Sequence, residues 1–119
     1  MYSVKVEANF SAAHNLRNYK GKCEALHGHN WKVEVALTGD KLDKAGMVMD
    51  FKKLKAELKA VLDKLDHGYL NNGAYFRKVN PTSENIARYI YERLKARLKK
   101  LASVTVWESD NCAASYYGE

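Results

Sequence analysis

Cysteine is scarce in this 119-residue sequence, and long apolar runs are missing altogether. Two cysteines, Cys23 and Cys112, are too few for a disulfide scaffold, and nothing marks the chain for export. No run approaches the roughly 20 apolar residues that a membrane helix needs. The N-terminus alternates instead of forming the apolar block of a signal peptide. These absences lead to the expectation of a cytoplasmic chain, off the membrane, with both thiols reduced. No linker, repeat or low-complexity segment interrupts residues 1–119, so one domain is expected. A domain of that length buries about two thirds of the surface its unfolded chain exposes, so it does not need a metal in order to fold.

The formal charge of +6 raises nucleic acid as a partner, but its distribution argues against one. More than half of the 20 Lys and Arg fall within Lys52–Lys64 and Arg88–Lys100, on two predicted helices whose charged faces read as solvated surface. A smaller basic group, Arg17, Lys20 and Lys22, reads either as a polar loop or as a feature that gathers a phosphorylated anion.

Tyr2, Val4, Val6, Ala8, Phe10 and Ala12 alternate with polar residues, which predicts a half-buried strand, and His14 has the parity of its apolar set. Trp31, Val33, Val35 and Leu37 predict a second strand, and His27 and His29 share their parity. A short extended piece is expected over Met47–Met49. Asp50 can then cap a helix of about four turns carrying Phe51, Leu54, Leu58, Val61, Leu62 and Leu65, with Gly68 in the left-handed conformation at its end. Thr82 or Ser83 can cap a second helix carrying Ile86, Ile90, Leu94, Leu98 and Leu101. Val104, Val106 and Glu108 share one strand parity, and Cys112 to Tyr117 can return as a fourth strand. The expected fold is α+β, a four-stranded antiparallel sheet with two helices on one face.

The chemistry concentrates between His14 and His29, which hold three of the four histidines and Cys23. Residues two apart on a strand lie about 6.5–7 Å apart on one face, so His27 and His29 can close on one ion. Paired as a hairpin, the two strands bring His14 to the same end. A lone histidine on an apolar face reads as a satisfied core residue. Three converging imidazoles read as a metal site, with zinc favoured by the donor type. Cys23 then has three readings: a small core residue, a fourth ligand closing a structural site, or a base beside an open one. Asp66-His67 reads either as a helix terminus, where histidine favours the dipole, or as a relay in which the aspartate fixes the imidazole tautomer. Glu108, on an inward face, needs donors, and a flat heterocycle with two adjacent N–H groups would supply them.

Cys23-Glu24-Ala25-Leu26-His27-Gly28-His29, Leu65-Asp66-His67, Asn80-Pro81-Thr82-Ser83-Glu84 and Glu108 occur in this order, after Phe10-Ser11-Ala12-Ala13-His14. In these motifs the sequence resembles the 6-pyruvoyltetrahydropterin synthase family, most closely its 6-carboxytetrahydropterin synthase branch. The resemblance implies zinc on His14, His27 and His29, Cys23 as the proton-abstracting residue, Asp66 and His67 as its relay, and Glu108 as the anchor of a pterin ring. It implies a tunnelling fold (T-fold), in which sheets join edge to edge into an oligomeric barrel, commonly a homohexamer with active sites between subunits. The implied reaction converts 7,8-dihydroneopterin triphosphate to 6-carboxy-5,6,7,8-tetrahydropterin, acetaldehyde and triphosphate, a step toward queuosine. Its sibling stops at 6-pyruvoyltetrahydropterin, and a structural zinc module is the non-enzymatic alternative. Ser109 stands where relatives often carry Thr, so the loop after Glu108 differs in detail.

Overall fold

The alternation at the N-terminus produces one long strand, β1 (Tyr2–His14), and the next alternating segment produces β2 (His27–Gly39). A computed structural model describes residues 1–119. β1 and β2 pair antiparallel along their full lengths, with Phe10 opposite Trp31 and His14 opposite His27. Both put their apolar residues on one face, where Trp31, Val33 and Val35 have no exposed surface.

That face is covered by α1 (Phe51–Leu62) and α2 (Ser83–Lys95). Asp50 caps α1 by accepting from the Lys52 N–H, and Thr82 caps α2 by accepting from that of Asn85. α1 buries Leu54, Leu58 and Leu62, and α2 buries Ile86, Ala87, Ile90, Tyr91 and Leu94. Phe51, in the same predicted stripe, is instead 54% exposed. β4 (Leu101–Ser109) pairs antiparallel with β2, and β5 (Cys112–Tyr116) with β4.

The sheet departs from the expected four antiparallel strands. It has five, in the order β3-β1-β2-β4-β5, because the two-residue β3 (Gly68–Tyr69) runs parallel to Ala12 and Ala13 of β1. Two residues have no periodicity to betray them. The left-handed residue at this corner is His67, φ 58°, and not Gly68, which opens β3. The His67 N–H donates to the Ser11 carbonyl at 2.6 Å, which lays the chain against β1 and keeps Gly68 extended.

Two helix ends also differ. α1 stops at Leu62 and α2 at Lys95, while Leu65 and Leu98 keep their helical spacing and are buried from the following turns. Leu101 opens β4. Lys95 Nζ donates to the carbonyls of Lys99 and Leu101, satisfying acceptors beyond the helix end. Met47–Met49 forms bends rather than a strand, organised by Asp43, whose Oδ1 accepts from the N–H groups of Ala45 and Met47.

Burial at the helix–sheet interface is what holds these layers, each enclosed aliphatic side chain contributing about 1.5–3 kcal/mol. Leu58→Ala is expected to lower the unfolding free energy by about 2–5 kcal/mol. Asp50→Ala, which removes only a cap, should lower it by about 1 kcal/mol, both read from denaturant unfolding.

Candidate metal centre

β1 ends and β2 begins at the same end of the sheet, so their register decides which side chains meet there. His14 lies opposite His27, and His29 lies opposite Ala12, one pair deeper on the same face. The three imidazoles form a triangle with ring centroids 4.7, 4.8 and 5.1 Å apart. One ligand atom from each lies within 4.8 Å of the others. His14 is 1% exposed, while the other two are half-buried.

The hydrogen bonds behind the rings set which nitrogen faces inward. His14 Nδ1 lies 2.8 Å from the Pro81 carbonyl, and His27 Nδ1 lies 2.9 Å from that of Ala25. A carbonyl only accepts, so each Nδ1 carries its proton and each neutral ring presents an Nε2 lone pair inward. Those two Nε2 atoms are 3.1 Å apart. At that distance the two nitrogens can share a proton or a metal ion between them. His29 Nε2 is buried and has no hydrogen-bond partner. Burial pushes the His29 imidazole below its ordinary pKa; Glu108 opposes this, and the other two histidines reinforce it. Three converging imidazoles, two of them with the second nitrogen tied back to a carbonyl, form an arrangement that can hold a metal ion.

Glu108 stands beside this triangle. Its carboxylate oxygens lie 4.0 Å from His14 Nε2 and 3.8 Å from His29 Nε2, and the side chain is 40% exposed. The inward parity expected of it holds, yet it faces imidazoles at the rim and is not fully desolvated.

A model of the family described as 6-pyruvoyl tetrahydropterin synthase matches residues 3–119. The chain belongs to that family. It is 41% identical to a Synechocystis 6-carboxy-5,6,7,8-tetrahydropterin synthase over 98% of this chain and 94% of the relative. It is 34% identical to the Haemophilus influenzae protein of the same name, over 98% and 99%. In three dimensions it is similar to the Caenorhabditis elegans 6-pyruvoyl tetrahydropterin synthase, with a TM-score of 0.88, 32% identity and coverage of 99% and 96%.

The remaining candidates of this family member lie apart from the triangle. Asp66 Oδ1 accepts from the Ser11 N–H at 2.8 Å, and Oδ2 lies 2.9 Å from His67 Nδ1. The Ser11 N–H, helped by His67, holds the Asp66 carboxyl below the usual carboxylate range. It therefore stays anionic beside the adjacent imidazole. His67 is 83% exposed, with its ring presented outward. Cys23 is exposed and is not one of the three converging ligands. The thiol-closed structural site weighed from the sequence is thus not what one chain builds.

Several supports escaped the sequence. Asn71 Oδ1 accepts from the Asn15 N–H, and its Nδ2 donates to the Asn15 carbonyl. Asn80 makes the same reciprocal pair with Arg17. The Arg17 guanidinium donates to the carbonyls of Phe76 and Val79, so it braces the loop. Lys20 and Lys22 are the exposed cations there. Asn71 and Asn80 had shown only as loop residues, and nothing local distinguishes a turn asparagine from a clamp.

Replacing His27 or His29 by Ala should abolish stoichiometric metal, measured on purified protein by elemental analysis. The far-ultraviolet circular dichroism should persist, because the 23-residue apolar core includes none of the three histidines.

Proposed function

We propose that this chain is a zinc-dependent lyase that converts 7,8-dihydroneopterin triphosphate to 6-carboxy-5,6,7,8-tetrahydropterin, acetaldehyde and triphosphate. The observation that carries the proposal is the inward-facing Nε2 triangle of His14, His27 and His29 in a chain similar over nearly its whole length to two proteins of that name. Three imidazoles leave a zinc ion with room for a substrate oxygen, and the bound ion supplies Lewis acidity toward the substrate's side-chain oxygens.

The chain's own residues supply binding and proton movement. Glu108, at the rim, accepts two ring N–H groups of the pterin and sets the ring's orientation. Cys23 removes the proton from the side-chain carbon, and His67 relays protons with its tautomer set by Asp66. Lys20 and Lys22 meet the triphosphate.

Both groups of the proton relay are exposed. The open edges of the sheet support a way for them to meet. β1 is covered by β3 only at Ala12 and Ala13, and β5 has no outer neighbour, so both edges of the sheet offer unpaired backbone. Joining those edges closes a barrel, a homohexamer in this proposal, in which Cys23 of one subunit meets Asp66-His67 of another. The similarity to the C. elegans structure favours a second reading, release of 6-pyruvoyltetrahydropterin with the side chain intact.

Incubation with 7,8-dihydroneopterin triphosphate should yield acetaldehyde in step with triphosphate. A pyruvoyl product without acetaldehyde would select the second reading. Cys23→Ala should keep its metal yet lose turnover by about 10²–10⁴-fold. Co-expressed Cys23→Ala and His67→Ala chains, each inactive alone, should recover partial turnover in mixed oligomers. No recovery would place both residues in one subunit's site.

A further inference from the structure

Glu108 occupies an irregular point in its strand. Trp107 pairs with Ala113 and Ser109 with Cys112, so Glu108 is the extra residue of a β-bulge. Such bulges re-aim a side chain and recur beside active sites. Here Glu108 keeps the inward parity of Val104 and Val106 across the irregularity, and its carboxylate faces the two Nε2 atoms at 3.8 and 4.0 Å.

At these distances the carboxylate is beyond hydrogen-bond reach of either nitrogen. His14 Nε2 is an inward lone pair, because its Nδ1 proton goes to the Pro81 carbonyl. His29 Nε2 has no partner of its own. Facing the His14 lone pair the carboxylate is repelled, and a cation between them reverses the sign. Zinc–nitrogen bonds of about 2.0–2.1 Å set ligand-to-ligand edges of about 3.3–3.4 Å in a tetrahedron. The His14–His27 edge is 3.1 Å, the three imidazole ligand atoms all lie within 4.8 Å of one another, and the Glu108 oxygens at 3.8 and 4.0 Å lie about half an ångström beyond the ideal edge.

We propose that in the substrate-free enzyme the Glu108 carboxylate is the fourth ligand of the ion held by His14, His27 and His29. This rests on the zinc assignment above and deepens it. The position described as open is then closed at rest, and a substrate oxygen enters only as Glu108 leaves. The pterin ring supplies the reason to leave, since its N–H donors give the carboxylate a second station. Binding of the ring and access to the ion become one event, and water is kept from the ion until a pterin arrives.

The test uses full-length protein stripped by a chelator and loaded with Co2+, whose visible spectrum reports its ligands. Neutral imidazole is the probe, so that charge repulsion does not confuse access. Glu108→Gln should bind imidazole at the ion at least about tenfold more tightly than the wild type, and should hold Co2+ at least about tenfold more weakly. Glu24→Gln is the control: Glu24 also lies close, 3.8 Å from His27 Nδ1, but behind the ring and away from the fourth position. It should behave as the wild type does. Glu108→Asp, one methylene shorter, should respond in between, and serves if the Gln variant folds poorly. Equal imidazole response in wild type and Glu108→Gln would overturn the proposal. So would a Glu24→Gln response equal to that of Glu108→Gln, which would show a field effect rather than ligation. Failure of the wild type to hold Co2+ is a separate result: it removes the metal assignment itself and the fourth ligand with it.

Discussion

The pairing of β1 with β2 is the constraint on which the rest of the site depends. Side chains alternate between faces, so a slip of one residue would move His27 and His29 to the polar face and turn Trp31, Val33 and Val35 out into water. The burial that stabilises the fold therefore also fixes the histidines. Trp31 links the two roles directly. Its indole packs edge-on to His14 and His29, with centroids 4.9 and 5.0 Å away, and its N–H donates to the Ala12 carbonyl. A register that satisfies the core satisfies the triangle, and no separate device is needed to place the rings.

Orientation needs a second layer, supplied by the loop that follows β3. The Pro81 carbonyl that holds His14 precedes α2, and Asn80 beside it is tied to Arg17, just past the end of β1. Asn85, in the first turn of α2, donates to the Asn80 carbonyl. α2 is anchored in the core by Ile86 and Ile90, so the rigid body behind His14 is the helix rather than the loop. This explains why a segment without regular structure can hold an imidazole in one tautomer.

Much of this was legible in the sequence, for a physical reason. Long alternating strands and amphipathic helices have periods that survive as patterns of apolar residues, and the histidines could be assigned a face by parity alone. The boundaries were less legible, because Leu65, Leu98 and Leu101 keep helical spacing while lying in turns or at a strand start, all burying into one core. β3 was invisible, its two residues defined by hydrogen bonds to a strand more than fifty positions away. The asparagine clamps were hidden for the same reason, since their partners are distant in sequence. Glu108 was legible as an inward carboxylate, but its bulge depends on how β5 pairs.

The triangle also has a consequence for stability. His14 and His27 bring their Nε2 atoms to 3.1 Å, and His29 keeps a buried Nε2 without a hydrogen-bond partner. Each unpaired buried group costs about 1–3 kcal/mol. The apolar core supports that penalty because it is continuous and independent of the rings. An ion that binds the folded chain removes the penalty and adds its own binding free energy, so metal affinity is raised by the same strain that the empty fold carries. A site satisfied by internal hydrogen bonds would leave a more stable empty protein and a poorer ligand set. The unsatisfied His29 nitrogen, beside the closely approaching pair of His14 and His27, is therefore the feature that directs the preorganised end of this sheet toward a cation.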